Sequence, residues 1–452
     1  MNQSIFKAYD IRGIYPVDLN ETDSYNIGLA FANFISSENQ GKKVKILVSR
    51  DMRLSSPALT ERVIAGLVDG GVDVLNIGLA STPTFYLAVS YFQTTAGIHV
   101  SASHNPKDYN GFKMVRANGV PVSGENGIQT IKELILNNKL QLASEKGMVE
   151  NRENQTAMLL MEFKKEFDWQ GIKPFTIVVD GANAMSILDI PEIFKDVPIK
   201  LITINFELDG SFPNHEADPF KEENLVQIKK AVLENHADLG ISPDGDGDRI
   251  FFIDEQGTTI RQEVLRGIMA QVALKEYPGA SICYDIRPGK ITRDMIVEAG
   301  GIPSVTKVGH SLIKEQMIAL NSVFGGESSG HYFYKTKYGV FEAPTMMILK
   351  FLKWLSENNQ PVSQAIKPYL KYFSSGEINS KVADTKEKIN ELAKKYKDAK
   401  ISYLDGITVE YNDYWFNVRP SNTEPLLRLN LEATTVELMK TKTQEVLDFI
   451  RS

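Results

Sequence analysis

One cysteine, Cys283, stands in 452 residues, so no intrachain disulfide can staple the fold. It lies in the short apolar run of residues 281–284 and reads as a buried hydrophobe, the usual state of a free thiol, and not as a nucleophile. No run of about 18 apolar residues occurs, which leaves no candidate for a membrane-crossing helix. Positive charge is not in excess either: 50 Lys and Arg against 57 Asp and Glu leave a formal charge of -7. A chain with that balance has no global field to gather nucleic acid, and any anion it binds must be caught by local clusters. Residues 1–13 lack a basic segment followed by an apolar one, and no repeat or low-complexity tract is present. A soluble, cytoplasmic protein without nucleic-acid or membrane partners is the expectation.

What the sequence does contain is a globular composition, 42% hydrophobic and 24% charged. Its length exceeds the roughly 250–300 residues at which single cores stop growing, so several domains are expected. Short apolar runs rich in β-branched residues alternate with longer helical patterns, the signature of βα units and mostly parallel sheets. Residues 44–48, 72–77 and 97–101 read as strands and 57–69 as a helix, which together make a first α/β domain. The polar stretch 145–156 carries few apolar anchors and places a boundary near 150. Strands over 175–179, 237–241 and 250–253 make a second domain, closed by the turn-rich Asp254-Glu-Gln-Gly257. A strand at 281–285 and helices around 265–273 and 344–354 make a third, and the Lys- and Glu-rich 381–400 with the tail 436–450 fit a smaller α+β piece. The divisions that follow are 1–150, 151–256, 257–368 and 369–452.

Four loops concentrate chemistry. Ser101-Ala-Ser-His-Asn-Pro106 follows a strand, where side chains emerge at the carboxyl edge of a sheet. Ser103 is a candidate phosphoryl acceptor there; an ordinary turn is the competing reading. A hydrolase-type Ser-His pair is disfavoured because the Gly-x-Ser-x-Gly elbow is missing. Lys113, shortly after, could act on a sugar oxygen or a phosphate.

The second loop, Asp244-Gly-Asp-Gly-Asp-Arg249, packs three carboxylates into five residues, a repulsive arrangement that calls for a hard cation such as Mg²⁺. Asp244, Asp246, Asp248 and Glu255 also fall at positions 1, 3, 5 and 12 of a helix-loop-helix calcium site. Against that reading, the sixth position is Arg249 where glycine must turn, and both flanks read as strands. Arg249 is instead suited to a phosphate, which its planar fork can grip by two oxygens.

The third loop, Gly325-Gly-Glu-Ser-Ser-Gly-His331, sets the acceptor-only carboxylate of Glu327 between glycines, with Ser329 and His331 nearby. Vicinal sugar hydroxyls fit it, as does a plain glycine-rich turn. The fourth, Arg419-Pro-Ser-Asn-Thr-Glu-Pro425, gathers hydroxyls, an amide and backbone donors beside a guanidinium and reads as an anion cradle, with Arg428 as a second cation or an exposed strand residue.

Together and in this order, the four loops resemble those of the α-D-phosphohexomutase family, and most of all its bacterial phosphomannomutase/phosphoglucomutase branch. The resemblance spans nearly the whole chain. It includes Phe6-Lys-Ala-Tyr-Asp-Ile-Arg-Gly13, Ser49-Arg-Asp-Met-Arg-Leu-Ser-Ser-Pro57 and Lys307-Val-Gly-His-Ser-Leu-Ile-Lys314. It implies four domains around a central cleft, three α/β domains of similar topology plus a smaller C-terminal α+β domain, each giving one loop. It implies that Ser103 carries the phosphoryl group and that Asp244, Asp246 and Asp248 hold Mg²⁺ with a phosphoserine oxygen. Arg249 would stabilise the moving phosphate, Glu327 and Ser329 would bind sugar hydroxyls, and Arg419, Ser421, Asn422 and Thr423 would grip the idle phosphate. Tyr9, Arg12, Lys113, Arg287 and His310 match further cleft positions, with Lys113 or His310 as general acid or base.

The implied reaction interconverts hexose 1-phosphate and 6-phosphate through a hexose 1,6-bisphosphate intermediate and activator, in a monomer or homodimer. The chain departs from the family pattern at Ser101, where threonine is common, at Ser328 for methionine, at Arg287 for lysine, and at Phe341-Glu-Ala-Pro344 for a more acidic stretch. The ending Ser329-Gly-His331 and the form of the fourth loop resemble the mannose and glucose mutases more than the glucosamine branch, so mannose phosphate is favoured, with glucose phosphate a close second because dual-specific members use the same loops. A phosphatase or a non-catalytic phosphosugar-binding protein are the alternatives from other classes.

Overall fold

In the computed structural model, residues 1–7, 9–420 and 426–452 are described. The chain forms two compact units, Met1–Ile260 with Ser329–Ser363, and Arg261–Ser328 with Gln364–Ser452.

The first unit holds a six-stranded sheet in the order Ile11–Ile14, Tyr109–Arg116, Ala96–Val100, Lys45–Arg50, Asp73–Leu79, Val149–Asn151. The last four strands run parallel, and Tyr109–Arg116 is antiparallel to both of its neighbours, Ala96–Val100 and Ile11–Ile14. Ile46, Leu47 and Val48 in the middle of the sheet are fully buried, as expected of a parallel strand covered on both faces. Two covering helices, Glu21–Glu38 and Ser56–Asp69, cross where glycine lets the backbones touch. A Cβ on Gly28 would lie 2.4 Å from the Val63 carbonyl oxygen, and one on Gly66 would lie 2.2 Å from that of Tyr25. The short strand Val149–Asn151 pairs with Asp73–Leu79, so the first sheet reaches through the polar stretch that sequence marks as a divide.

A four-stranded sheet follows, in the order Ile250–Asp254, Leu239–Pro243, Phe175–Asp180, Ile199–Ile204. Its first two strands form an antiparallel hairpin whose connection is the aspartate loop. Both flanks of that loop are strands, which rules out a helix-loop-helix calcium site. The antiparallel pair Tyr332–Thr336 and Gly339–Glu342 and the helix Pro344–Asn358 also belong to this first unit.

In the second unit, the parallel strands Ile302–Thr306, Ser281–Asp285 and Phe324–Gly326 are accompanied by the helices Gln262–Glu276, Lys290–Glu298 and His310–Leu320. Cys283 is buried in the middle strand with its Sγ 3.2 Å from Ser322 Oγ. An antiparallel sheet in the order Phe373–Lys381, Leu426–Ala433, Tyr414–Pro420, Ile407–Glu410, Lys400–Ser402 completes the unit, covered by Thr385–Lys395 and Val436–Arg451. The fold class is α/β, with a smaller C-terminal α+β part. Observed strand ends differ from the sequence-based ones by a residue or two, as at Lys45–Arg50, because ladder pairing sets them and not composition. Among the described residues no helix is long and apolar enough to cross a membrane.

One buried acid ties elements of the first unit together. Asp189, on the helix Ser186–Phe194, accepts a hydrogen bond from Thr84 Oγ1 at 3.3 Å, and burial pushes its carboxyl up to about 7. A raised acid is protonated in the folded chain where the unfolded chain is ionised, so stability falls as pH rises from about 4 to about 7 and stays lowered above. Asp189→Asn is expected to remove that loss. Its stability relative to wild type should improve by about 2–4 kcal/mol between pH 4 and pH 8, measured by urea unfolding. A difference independent of pH would contradict the raised carboxyl.

Candidate active site

The strand Ala96–Val100 delivers the chain to Ser103, whose φ of +52° puts a non-glycine residue in the left-handed region. Such a conformation costs on the order of 1–2 kcal/mol, so surrounding contacts must hold it. Arg53 is the chief one. Fully buried, it donates to the carbonyl oxygens of Ser103 (2.8 Å), Asn105 (2.6 Å), Pro106 (2.7 Å) and Tyr109 (3.0 Å), while its Nε lies 3.2 Å from Asp51 Oδ2. Ser101 supports the same turn, its Oγ accepting from Ser103 N at 3.1 Å, so the hydroxyl kept at this departure from the family pattern is used. Arg12, on Ile11–Ile14, bonds Asn105 Oδ1 of the loop and Asp10. Tyr9 lies in the bend before that strand.

Arg53 belongs to a motif visible in the sequence, but nothing local marks it as a clamp. Replacing it with methionine leaves several carbonyls and the Asp51 carboxylate without their cation, and is expected to destabilise the chain by about 3–5 kcal/mol. Urea denaturation checks this; a change within about 0.5 kcal/mol, typical of an inert surface site, would contradict the clamp.

The hairpin loop brings three carboxylates to the serine. Asp244, Asp246 and Asp248 are buried, each offering an oxygen within 4.8 Å of the others. Ser103 Oγ donates to Asp244 Oδ2 at 3.1 Å and lies 3.2 Å from His104 Nδ1. Burial and the two neighbouring carboxylates push Asp244 well above the usual carboxylate range. Burial alone would raise Asp246 and Asp248 too, but Lys113 outweighs it and holds both low, helped at Asp248 by His331. Lys113, on Tyr109–Arg116, donates to Asp246 Oδ2 and Asp248 Oδ2, both at 2.6 Å. Although burial disfavours its charge, those two anions raise the ammonium well above its ordinary value, so Lys113 carries its proton in this arrangement. Thr82, at the start of Thr82–Tyr91, donates its hydroxyl to Asp246 Oδ2 at 2.5 Å and its amide to the Asp246 carbonyl at 2.9 Å.

Asp246 Oδ1 is buried and has no hydrogen-bond partner among the described residues. An orphaned carboxylate oxygen amid mutually repelling acids fits a cation-binding position, and the all-oxygen donor set suits Mg²⁺. Arg249 donates its amide to Asp244 Oδ1 at 3.1 Å, and its Nε is 3.8 Å from Asp244 Oδ2 and 3.3 Å from His331 Nε2. His331 also approaches Asp248 Oδ1 at 3.1 Å, and its Nδ1 lies 3.0 Å from Ser329 Oγ. Sequence groups His331 with Glu327; in the fold its ring meets the aspartate loop, because the isolated bridge Arg249↔His331 draws it there.

The second unit carries the remaining candidates. Glu327 follows Phe324–Gly326, and its Oε1 accepts from Gly309 N at 2.8 Å. Gly309, with φ +147°, immediately precedes His310, the first residue of His310–Leu320. Arg287 Nη2 lies 3.8 Å from Glu327 Oε1, while its Nε donates to Asp285 Oδ2 at 2.5 Å. On the antiparallel sheet, Arg419 and Arg428 are register partners, and both reach Glu377, with Arg428 Nη1 3.4 Å from Oε1. Burial would raise the Glu377 carboxyl, yet Arg419, Arg287 and Arg428 hold it low. Two guanidinia on one carboxylate leave a local positive surplus suited to a phosphate dianion. Sequence reasoning missed Glu377, which sits far upstream on another strand. Ser421, Asn422 and Thr423 lie outside the described residues.

Comparisons with known proteins agree on one family. Signatures of phosphoglucomutase/phosphomannomutase alpha/beta/alpha domains I, II and III match residues 3–142, 159–257 and 263–372, and that of the C-terminal domain matches 377–448. The chain is 38% identical over 448 residues to a phosphomannomutase of Methanocaldococcus jannaschii, covering 99% of this chain and 97% of that one. It is 37% identical over 437 residues to a phosphomannomutase/phosphoglucomutase of Pseudomonas syringae pv. tomato, covering 96% and 92%. A crystal structure of a phosphoglucomutase/phosphomannomutase family protein from Burkholderia thailandensis superposes with a TM-score of 0.90 at 30% identity, covering 99% and 97%.

Proposed function

The chain belongs to the phosphoglucomutase/phosphomannomutase family, and from that premise we propose that it interconverts mannose 1-phosphate and mannose 6-phosphate through phosphorylated Ser103 and a hexose 1,6-bisphosphate. The observation that carries this reading is the Ser103 hydroxyl 3.1 Å from Asp244 in a buried cluster of three carboxylates, with Lys113 and Arg249 beside it. A lone serine in a turn needs none of these.

Asp244, Asp246 and Asp248 would hold Mg²⁺, for which Asp246 Oδ1 leaves a buried oxygen open. Bound there, the ion supplies charge neutralisation for the oxygens of a transferring phosphoryl group. The chain's own cations extend that role: Arg249 offers a bidentate fork, and Lys113, held as an ammonium, adds a fixed positive charge that costs no reorganisation. Phosphoryl transfer passes through a loose, charge-rich state, so positioning and neutralisation supply most of the catalysis. In the first half-reaction the Ser103 Oγ–P bond breaks, a bond from a sugar hydroxyl oxygen to phosphorus forms, and the hydroxyl's proton ends on Ser103 Oγ. The bisphosphate turns, and the second half returns its other phosphoryl group to Ser103 with the proton moving back to the sugar. His310 is the remaining candidate for general base, and Lys113 for general acid.

Glu327 and Ser329 would accept sugar hydroxyls, with Tyr9, Arg12, Arg287 and His331 as further contacts, while Arg419, Arg428 and residues 421–423 would grip the idle phosphate. Relatives named phosphomannomutase support mannose. A dual preference that includes glucose has its own support in the relative named phosphomannomutase/phosphoglucomutase.

Phosphorus NMR with Mg²⁺, a trace of glucose 1,6-bisphosphate and either mannose 1-phosphate or glucose 1-phosphate tests the proposal. Conversion of the mannose ester to its 6-phosphate at the higher rate is expected. Release of inorganic phosphate without isomer exchange would make the protein a phosphatase, and a faster glucose reaction would reverse the sugar preference.

A further inference from the structure

Two of the family departures, Arg287 and Ser328, meet on one buried carboxylate. Asp285 ends the strand Ser281–Asp285 with no exposed surface. Its Oδ2 accepts from Arg287 Nε at 2.5 Å, and its Oδ1 accepts from Ser328 N at 3.2 Å and Ser328 Oγ at 3.0 Å. The same Oδ1 takes Arg266 Nη1 at 2.7 Å. Arg266, from the helix Gln262–Glu276, is itself fully buried and spends its other donors on Pro288 O (2.6 Å), Thr292 Oγ1 (3.1 Å) and Ser328 Oγ (3.1 Å). Arg287 Nη2, in contrast, is buried, has no hydrogen-bond partner among the described residues and lies 3.8 Å from Glu327 Oε1.

We infer that Arg266, Asp285 and Ser328 form a positioning unit that fixes the guanidinium of Arg287 beside the carboxylate of Glu327, so that the pair presents one donor and one acceptor to adjacent sugar oxygens. The inference rests on the hexose-phosphate reading above. Charge supports it: the guanidinia of Arg266 and Arg287 face the carboxylates of Asp285 and Glu327, with Glu377 a further anion acting on Arg287, and buried ions require such pairing. Chemistry explains the residue choice. A guanidinium separates the nitrogen that anchors from the nitrogen that presents, whereas an ammonium has all its donors on one atom. Ser328 both accepts from Arg266 and donates to Asp285, a double role that a thioether at that position could not fill. Among the described residues, Arg287 Nη2 is the buried atom of this network left without a hydrogen bond, and it faces Glu327.

None of the three residues needs to touch the sugar, so the test must show that they act through Arg287. Binding of mannose 1-phosphate to dephosphorylated enzyme, which cannot turn it over, is measured by calorimetry for Asp285→Asn, Ser328→Ala, Arg287→Met and the doubles that include Arg287→Met. Asp285→Asn alone is expected to weaken binding about tenfold, the value of a hydrogen bond to a charged group. In the Arg287→Met background the same change should weaken it by less than about twofold, because the presenting group is already gone. If the two losses multiply, Asp285 does not act through Arg287 and the inference is overturned. Should Asp285→Asn fail to fold by thermal melting, the Ser328→Ala cycle with Arg287→Met decides on the same criterion. Wild-type enzyme that binds no hexose phosphate would instead overturn the functional reading, and this inference with it.

Discussion

Ser103→Ala is expected to lower mutase turnover by about 10⁴-fold or more, the scale on which removal of a covalent nucleophile acts. Its Oγ lies within hydrogen-bond reach of the aspartate cluster, at 3.1 Å from Asp244, while Ser101 Oγ is occupied in accepting the Ser103 amide. Burial and the nearby cations Arg249 and Arg12 keep the ring of the neighbouring His104 well below the ordinary histidine range, hence neutral. Alanine needs the same positive φ, so the backbone strain is nearly unchanged and Arg53 still holds the turn. The variant should therefore melt near the wild-type temperature and still bind hexose 1,6-bisphosphate. Steady-state rates checked beside a melting curve give the result; turnover within about tenfold of wild type would remove Ser103 from the chemistry.

Chelation of divalent metal, or Asp246→Asn, is expected to cost several kcal/mol of transition-state stabilisation, about 10³-fold in rate. The reason is electrostatic. Without a cation, burial and two anionic neighbours keep Asp244 well above the usual carboxylate range, so the cluster cannot hold three negative charges on Lys113 and Arg249 alone. A second readout needs no turnover. Mg²⁺ at about 100 times its dissociation constant should add about 2.7 kcal/mol of stability to wild type and less to Asp246→Asn. Melting curves with and without Mg²⁺ check it; equal shifts in both proteins would mean that Asp246 is not a ligand.

Legibility in the sequence followed how the chemistry is packed along the chain. Ser103 and the three aspartates stand in short loops at strand ends, so their residue types and spacing could be read directly, and so could the βα alternation. Arg53, Thr82, Asp285, Arg266 and Glu377 could not be read as site-building. Each is a single polar residue with at least one partner from a distant segment: Arg53 reaches Ser103, Thr82 reaches Asp246, Arg266 reaches Asp285, and Glu377 reaches Arg419. Only the sheet register and the seating of the helices bring them together. His331 shows the same effect from the other side, since spacing ties it to Glu327 while an isolated bridge sets it against Arg249. The strand Val149–Asn151 escaped notice because Val149 is its one apolar residue and is itself exposed, so only its pairing with Asp73–Leu79 defines it.

The most direct test of the central claim is to incubate the protein with glucose 1,6-bisphosphate and Mg²⁺, quench, and map phosphorylation by peptide mass spectrometry. One phosphoryl group on Ser103, lost on addition of excess mannose 1-phosphate, is the predicted result. A phosphoryl group on any other residue, or none at all while the protein still converts the sugar, would contradict the phosphoserine account.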